Sequence, residues 1–323
     1  MASLKDVAER AGVSRSAVSR TFTEGASVAP ATRARVLAAA EALGYRPNLL
    51  ARSLTTRTTG LIGLVSNNFQ NPAFLEIFDL FTRGLQERGL RPLLVNLTDE
   101  VDPARSVGLL RQYSVDGVIV ASSTLPTAFA RAFREAGLPT VLAFGRVAGM
   151  AGVDVAAIDN VAAGRLAAQT LLARGYTRLG FLGGPPEATT TVDRLAGFRE
   201  VAGEVRFRFA DAYSFDAGRD AMRAELGALA EAYFCGDDVL SIGALSAVRG
   251  AGLRVPEDVG LIGLNDMAMA GWDNIRLTTI KQPFAAIVAG VLEMLAALLV
   301  TPGKPPEVRV YPCALVERDT LRR

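Results

Sequence analysis

The stretch that decides the fold of the first sixty residues is VSRSAVSR, residues 13–20. It follows Gly12 and sets Arg15 and Arg20 among serines and small apolar residues. In a helix, Ser16 and Arg20 would lie one turn apart on the same face, with Arg15 beside them. Spacing alone leaves two interpretations open: the arginines form a solvated helix edge, or they recognise a ligand.

The sequence around this stretch predicts three short helices. Ser3 and Asp6 resemble a capping box at the start of the first helix, which Gly12 ends. Ser14 can cap the second helix. The third helix has a proline in its first turn, one apolar face and a glycine stop: Pro30, Val36, Leu37, Ala40, Leu43 and Gly44. Three short helices with a glycine between the first two predict a helix-turn-helix domain over residues 1–47.

Charge is distributed unevenly along the 323 residues. The first sixty carry nine basic and four acidic side chains, and the rest of the chain carries 26 basic and 29 acidic ones. The head is therefore net +5 and the remainder net −3. A basic head on a mildly acidic body predicts that the head binds a polyanion.

In a helix-turn-helix domain, the second helix brings its N-terminal residues to base edges in the major groove. Arg15, Ser16 and Arg20 would then point towards the bases, since arginine pairs bidentately with guanine and serine donates or accepts. Of the neighbouring residues, Ser14 and Ser19 would contact phosphates. Val13 and Val18 would point inward and pack against the other helices.

From Leu61 onward the pattern changes to strands alternating with helices. Apolar runs with strand character are each followed by helical periodicity: LIGLV (61–65), RPLLVNL (91–97), DGVIVA (116–121), TVLAF (140–144), LGFLGG (179–184), AYFCG (232–236) and VGLIGL (259–264). Such alternation predicts doubly wound parallel sheets. Seven strand–helix repeats are more than one sheet usually contains, so we predict an α/β body of two lobes.

Composition narrows the function classes. The chain has no histidine, which disfavours zinc sites and histidine-dependent catalysis. Cys235 and Cys313 lie far apart without metal-ligand spacing, so neither a metal nor a cofactor is expected. The first residues lack the apolar core of a signal peptide, and the apolar stretch 285–300 is too short to span a bilayer, with Gly290 and Glu293 interrupting it. A cytoplasmic protein is therefore expected.

Residues 4–54, LKDVAERAGVSRSAVSRTFTEGASVAPATRARVLAAAEALGYRPNLLARSL, resemble the head of the lac repressor family of bacterial transcription regulators. The match is unbroken, and DVAERAGVS, AVSR, GYRPN and ARSL carry it. The resemblance implies that the head binds operator DNA. The residues implied in DNA binding lie in the second helix and in the segment after the third: Ser14, Arg15, Ser16, Ser19, Arg20, Asn48, Arg52 and Leu54.

The resemblance also gives residues 48–60 a function, although on composition they could form a plain linker. Asn48 can cap a helix of about two turns, which alone is too short to be stable in water. In the family this hinge helix forms on the operator, paired with its twin from the other subunit. The leucine side chain at the position of Leu54 then inserts between base pairs in the minor groove. Arg52 can add a contact to the DNA backbone or to the minor groove.

The resemblance continues through residues 61–323 and implies a two-lobed, type I periplasmic-binding-protein-like domain that binds an effector between its lobes and dimerises. Each lobe is expected to combine two segments: 61–159 plus 284–308, and 160–283 plus 309–323. Because ligands of open α/β sheets bind beyond the carboxyl ends of the strands, six residues are expected to contact the effector: Asn71, Phe74, Arg194, Asp237, Asn265 and Gln282. Helix capping by Asp237 and core packing by Phe74 stay open as alternatives.

The sequence departs from the family pattern at three places. Asn265 stands where many members have Asp, which leaves the charge of the effector open. Gly145, in AFGR (143–146), removes a polar side chain that is frequent in the family. The stretch 198–213 is shorter than usual, which leaves its local structure open.

Together these features predict a transcription regulator, a repressor and not an enzyme, that binds double-stranded operator DNA as a homodimer, with a tetramer as the alternative. An arginine combined with carboxylate, amide and aromatic groups suits a sugar or sugar derivative as the effector. A transport-type binding protein or a small-molecule enzyme is the competing interpretation, although the chain contains neither GxxxxGK[ST] nor GxSxG.

Overall fold

The computed structural model describes residues 2–23, 25–46, 58–98, 100–146 and 152–323. Contacts divide the chain into two compact units, Met1–Thr59 and Gly60–Arg323, called here the head and the body. The predicted DNA contacts at Asn48, Arg52 and Leu54 lie outside the described residues, as does most of the predicted hinge.

The described part of the head contains three helices, Leu4–Ala11, Arg15–Thr21 and Pro30–Ala42. The predicted capping box is present at the start of the first helix. Asp6 accepts the backbone N–H of Ser3 at 2.7 Å, and Ser3 Oγ accepts the backbone N–H of Asp6 at 3.3 Å. These two bonds satisfy donors that the first turn of a helix leaves without partners.

The other predicted helix signals of the head are also confirmed. Gly12 ends the first helix with a φ of 63°, a left-handed conformation that favours glycine. Ser14 Oγ accepts the backbone N–H of Ala17 at 3.2 Å and so caps the second helix. Pro30 opens the third helix, and Gly44 follows its end with a φ of 59°.

The core of the head forms where the three helices meet. Val7, Val18 and Val36, one from each helix, are completely buried. The prediction that Leu37 belongs to the apolar face of the third helix is wrong, because 47% of its surface is exposed. Leu37 is rotated by about 100° from Val36, whereas Ala40 lies one turn along on the buried face.

In its described part, the body is built on two six-stranded sheets. The strands of the first sheet are all parallel and lie in the order Val308–Tyr311, Asp154–Ile158, Thr140–Ala143, Gly117–Ala121, Leu61–Ser66 and Arg91–Asn96. Those of the second sheet lie in the order Ala314–Val316, Thr278–Lys281, Gly260–Asn265, Ala232–Cys235, Leu179–Gly183 and Arg206–Phe209. Only the pairing of Ala314–Val316 with its neighbour is antiparallel in the described part of this sheet. All seven predicted strands are present.

Helices cover both faces of the sheets, which is why the central strands are buried along their whole length. The helices of the described body are Ala73–Glu87, Pro103–Gln112, Thr127–Glu135, Asn160–Ala173, Thr189–Ala202, Phe215–Glu225, Asp238–Gly250 and Phe284–Val300, with short 3-10 turns at Leu226–Ala228 and Ala268–Gly271. Even the last long helix, Phe284–Val300, lacks the length that a bilayer-spanning helix needs, and so do the others among the described residues.

The chain passes from one sheet to the other at Asp159, at 282–283 and at 312–313. The first lobe thus comprises the first sheet with its helices, including Phe284–Val300, and the second lobe comprises the second sheet with its helices. The predicted lobe boundary at 308/309 needs a correction. Strand Val308–Tyr311 pairs with the first sheet, so the chain enters the second lobe only after Tyr311.

Two helices of the second lobe pack in direct backbone contact. Asn160–Ala173, called here the crossover helix, lies against Thr189–Ala202, called here the cavity helix. A Cβ atom on Gly197 would lie 1.9 Å from the carbonyl oxygen of Val161, and one on Gly164 would lie 2.2 Å from that of Arg194. Because the neighbours are backbone atoms, they cannot move aside as a side chain could, and the contact requires glycine on both helices.

We expect Gly197→Ala to lower the free energy of unfolding of the body by about 2–3 kcal/mol, because the added methyl group forces the two helices apart. Urea denaturation followed by circular dichroism measures the change. Gly108→Ala is the matched control, since Gly108 lies in the exposed helix Pro103–Gln112 with open space around its Cα. The control should be neutral or stabilising by about 0.4–1 kcal/mol. Equal stability of the two variants would contradict the close packing described here.

Candidate functional site

The second helix of the head presents one exposed face. Arg15, Ser16 and Arg20 lie on the surface, as do the predicted phosphate contacts Ser14 and Ser19. On its other side the helix packs into the core of the head. Val18, predicted to point inward, is fully buried there, and Val13, also predicted to point inward, is half-buried. The arrangement leaves two arginines and three hydroxyl groups on one short exposed surface.

Some of the basic charge of the head has a structural use instead. Arg33 donates to the backbone carbonyl of Thr21 at 2.9 Å and to that of Ala26 at 3.3 Å. These bonds tie the loop after the second helix to the third helix. Because Arg33 is half-buried, fewer basic side chains of the head are exposed than its net charge of +5 suggests. Arg15 and Arg20, by contrast, are exposed.

In the body, the six residues predicted to contact an effector line one cavity between the two lobes. Its volume is about 20 Å³, which is room for about one water molecule. The described residues that line it are Asn71, Ala73, Phe74, Ile77, Ser123, Phe144, Arg194, Tyr213, Asp237, Asn265, Gln282 and Phe284. The convergence is a structural fact, whereas the role of these residues in effector binding stays a prediction.

Strand ends explain why distant residues meet in this cavity. Asp237 follows strand Ala232–Cys235, and Asn265 is the last residue of Gly260–Asn265. Ser123, which the sequence analysis missed, follows strand Gly117–Ala121 of the first sheet. The carboxyl ends of parallel strands lie at one edge of a sheet, so the two sheets bring their polar residues to a shared cleft.

Asp237 is the centre of the polar contacts in the cavity. Its Oδ2 atom accepts a hydrogen bond from Asn71 Nδ2 at 2.9 Å and one from Asn265 Nδ2 at 2.6 Å. Its Oδ1 atom accepts the backbone N–H of Val239 at 2.7 Å and thereby caps a helix. Asp237 therefore both caps a helix and lines the cavity. Burial raises the pKa of Asp237, although the bond from Asn71 acts in the opposite direction.

Arg194 supplies the positive charge of the cavity. Its side chain is only 4% exposed. Arg194 Nε donates to Asn160 Oδ1 at 2.8 Å, and an amino group of the guanidinium donates to the backbone carbonyl of Gly236 at 2.5 Å. These bonds fix the guanidinium before any ligand arrives, which lowers the ordering cost of binding.

The two lobes contribute different chemistry to the cavity. The first lobe supplies an aromatic wall in which Phe144 packs edge-on against Phe284, with ring centres 5.7 Å apart, and against Phe74 at 6.4 Å. The second lobe supplies Arg194 and Asp237 among mostly polar groups. A bound molecule would therefore meet an apolar wall on one side and hydrogen-bonding groups on the other.

Phe144 is the largest departure from the sequence-based picture of the cavity. It has a φ of 65°, a left-handed conformation that is rare for a bulky side chain. Gly145 lies outside the cavity lining, and a Cβ atom there would approach Leu142 Cδ2 to 2.6 Å. The place of Phe144 at the end of the predicted strand TVLAF (140–144) is visible in the sequence, but its left-handed backbone is not.

Tyr213 is a further cavity residue that the sequence analysis missed, and it belongs to the stretch 198–213, whose local structure the sequence left open. That stretch completes the cavity helix, forms strand Arg206–Phe209 and then enters the cleft. The hydroxyl of Tyr213 lies 2.7 Å from Thr191 Oγ1, and both side chains are buried. The stretch therefore contains a regular strand and a tyrosine whose hydroxyl is held by a hydrogen bond.

Beside the cavity, Asp238 is buried completely in the second lobe. It accepts hydrogen bonds from Thr279 Oγ1 at 2.5 Å and from the backbone N–H of Met267 at 2.8 Å. Burial nevertheless raises the pKa of Asp238 to about 7. No cluster of acidic or cysteine side chains among the described residues is suited to hold a metal ion.

The raised pKa of Asp238 predicts a pH-dependent loss of stability. Because the folded pKa exceeds the unfolded value of 3.8, the folded state binds more protons between about pH 4 and pH 7. Stability from this group is therefore present at low pH and declines as the pH rises through the window. Asp238→Asn removes the titration, so the stability of the wild type relative to the variant should fall by up to about 1.4 kcal/mol per pH unit.

Denaturant unfolding of both proteins at several values between pH 4.5 and pH 7.5 measures this difference. If the two stability profiles ran parallel across the whole pH range, their constant offset would reflect only the changed hydrogen bonds of the amide. That result would contradict a raised pKa for Asp238.

Comparison with known families gives matches to both units. A family model described as bacterial regulatory proteins, lacI family, matches residues 3–48. A model described as a periplasmic binding protein-like domain matches residues 168–321. The HTH-type transcriptional repressor PurR of Escherichia coli O1:K1 is 32% identical over 332 residues, which cover 99% of this chain and 97% of that protein.

Solved structures show the same similarity. The lac repressor dimer bound to operator and the anti-inducer ONPF aligns with a TM-score of 0.88 at 25% identity, covering 99% of this chain and 98% of that one. The transcriptional regulator CelR in its cellobiose complex aligns with a TM-score of 0.74 at 29% identity, covering 99% of this chain and all of that one. The helix-turn-helix head and the two-sheet body are therefore both confirmed.

Proposed function

The chain belongs to the lacI family of bacterial regulatory proteins, and we propose that it represses transcription under the control of a sugar-like effector bound between its two lobes. As a member of this family it is a DNA-binding transcription regulator and not an enzyme. The observation that carries the effector proposal is the convergence of Asn71, Arg194, Asp237, Asn265 and Gln282 in one cavity.

For DNA, we propose that the exposed face of the second head helix enters the major groove of the operator. Arg15, Ser16 and Arg20 contact base edges, and Ser14 and Ser19 contact phosphates. Support comes from their exposure, opposite the buried Val18 that holds the helix in the head. The proposal includes a homodimer, because one such helix covers only half of a palindromic site.

The hinge proposal rests on sequence alone. Within the hinge and linker of residues 48–60, the segment 48–56 forms a helix on the operator, with Asn48 as its cap and Leu54 as the minor-groove wedge. Arg52 adds a contact to the DNA. We also propose a cytoplasmic location, where operator DNA is accessible to the head.

For the effector, we propose a sugar or sugar derivative. Arg194 offers a fixed hydrogen-bond donor, Asp237 accepts hydrogen bonds from hydroxyl groups, and the amides of Asn265 and Gln282 can donate and accept. The ring of Phe144 suits the apolar face of a sugar. Among the similar structures, CelR is in complex with cellobiose, which supports a ligand of this class.

The polar groups of the cavity bind one another, so an effector must replace these bonds. Gln282 Nε2 donates to Asn265 Oδ1 at 2.5 Å, and Asn71 of the first lobe donates to Asp237 of the second. An effector that takes over these partners changes the contact between the lobes. That change is the proposed signal, because a ligand shifts an equilibrium only by its differential affinity for the two states.

We expect Arg20→Ala to relax sequence preference at one operator position, with a loss of roughly 1–3 kcal/mol on the preferred sequence and little change on others. The physical reason is the loss of a bidentate contact to a base edge. Fluorescence anisotropy with the preferred operator and with single-base variants, at fixed salt, measures it. Arg10→Ala is the control, because it removes the same charge from the first helix of the head. If Arg20→Ala weakened every sequence equally, Arg20 would be a phosphate contact.

A thermal-shift screen of sugars, sugar acids and nucleobases tests the effector proposal. We expect at least one sugar or sugar derivative to raise the melting temperature and to change operator affinity at the same concentration. Stabilisation by nucleobases alone would overturn the ligand class. A sugar that stabilises the protein but leaves operator affinity unchanged would overturn the regulatory role of the cavity.

A further inference from the structure

An ion pair joins the two lobes beside the cavity. Arg146 follows strand Thr140–Ala143 of the first lobe, and Asp193 lies in the cavity helix of the second. Arg146 Nε donates to Asp193 Oδ2 at 2.9 Å, and an amino group of the same guanidinium donates to Oδ1. The pair is therefore bidentate, the geometry in which arginine and a carboxylate bind most specifically.

Neither residue is among the described residues that line the cavity. The two side chains are 31% and 18% exposed, so the pair is partly shielded from solvent. Asp193 nevertheless directly precedes Arg194, whose guanidinium does line the cavity. A change at Arg146 or Asp193 would thus act on the position of the cavity helix without removing a cavity contact.

The cavity helix is rigidly attached within the second lobe, so a force on Asp193 acts on the lobe as a whole. Gly197 of this helix packs against the carbonyl of Val161 in the crossover helix, with no room for a methyl group. The crossover helix begins directly after Asp159, where the chain leaves the first lobe. The ion pair and the chain crossover are therefore connected through two helices in backbone contact.

Further polar contacts close the same cleft. Thr190 Oγ1, in the first turn of the cavity helix, donates to the backbone carbonyl of Ser123 at 3.4 Å. Asn71 reaches Asp237 from the opposite lobe at 2.9 Å. With a cavity volume of only about 20 Å³, the lobes are closed in a form that admits no sugar-sized molecule.

We propose that Arg146 and Asp193 form a latch that holds the lobes closed without an effector and so limits the entry of the effector into the cavity. The effector part of this inference rests on the proposed function, whereas the latch itself depends on neither DNA nor ligand. The cleft must open before a ligand enters, and the latch lowers the fraction of molecules that are open. Because the pair is partly exposed, salt weakens it.

Hydrogen–deuterium exchange of the ligand-free, full-length protein tests the latch. In Arg146→Met and Asp193→Asn, peptides that contain Asn71, Arg194 or Asp237 should exchange roughly two- to fivefold faster, the range that a partly exposed ion pair provides. The double variant R146D/D193R restores the attraction with the charges exchanged and should return exchange towards the wild-type rate. Raising NaCl from about 0.05 to 0.5 M should accelerate the wild type and leave Arg146→Met unchanged.

Arg165→Met is the matched control. It breaks an ion pair with Glu200 that joins the crossover helix to the cavity helix, inside the second lobe. Exchange of the cavity peptides should stay at the wild-type rate in this control. Wild-type exchange in Arg146→Met, or equal acceleration in Arg165→Met, would overturn the latch. So would a double variant that exchanges as fast as the single ones.

A compound that binds in the thermal-shift screen provides a second measurement. Its association rate with Arg146→Met should exceed that with the wild type by roughly the same factor as the exchange rate. An unchanged association rate would overturn the part of the proposal that concerns effector entry. If exchange confirms the latch and no compound of the screen binds, the effector proposal fails on its own.

Discussion

The arrangement of the cavity depends on the hydrogen bonds that the buried carboxylate of Asp237 accepts. Asp237 is 3% exposed and accepts hydrogen bonds from Asn71 of the first lobe, from Asn265 of the second and from the helix that it caps. A buried carboxylate without such donors would be costly, so these partners are required for the lobes to close over it. The same requirement makes the closed cleft sensitive to any molecule that offers alternative donors.

This dependence explains why the body is built from two parallel sheets whose strand ends face each other. Each sheet brings polar side chains to its carboxyl edge, and the cleft between the edges combines them. Backbone contact between the crossover helix and the cavity helix then fixes Arg194 and Asp193 relative to the chain crossover. The cavity helix thus carries one residue that lines the cavity and one that joins the lobes beside it.

Much of this architecture could be predicted from the sequence, because local signals agreed with the final fold. The caps at Ser3 and Ser14 and the strand-end positions of Asp237 and Asn265 are examples. Other features depend on tertiary contacts that no local pattern encodes. The left-handed backbone at Phe144 is one, and the Arg146–Asp193 pair, 47 residues apart in the chain, is another. Leu37 fell outside the core because a rotation of about 100° separates it from the buried face of its helix.

The central claim is that the separation of the lobes controls the affinity of the head for DNA. A disulfide that locks the lobes closed tests it: Ser123→Cys and Thr190→Cys, at the site of an existing 3.4 Å contact, in a Cys313→Ser background. Operator affinity is measured for the oxidised and the reduced protein, with and without a compound that binds in the thermal-shift screen, on an operator selected from a random DNA library. Because the free protein is already closed, we expect equal affinities without the compound. The compound should change the affinity of the reduced protein by at least about fivefold, the lower range of allosteric coupling, and leave that of the oxidised protein unchanged. An equal response of the oxidised and the reduced protein, with the disulfide fully formed, would contradict the claim.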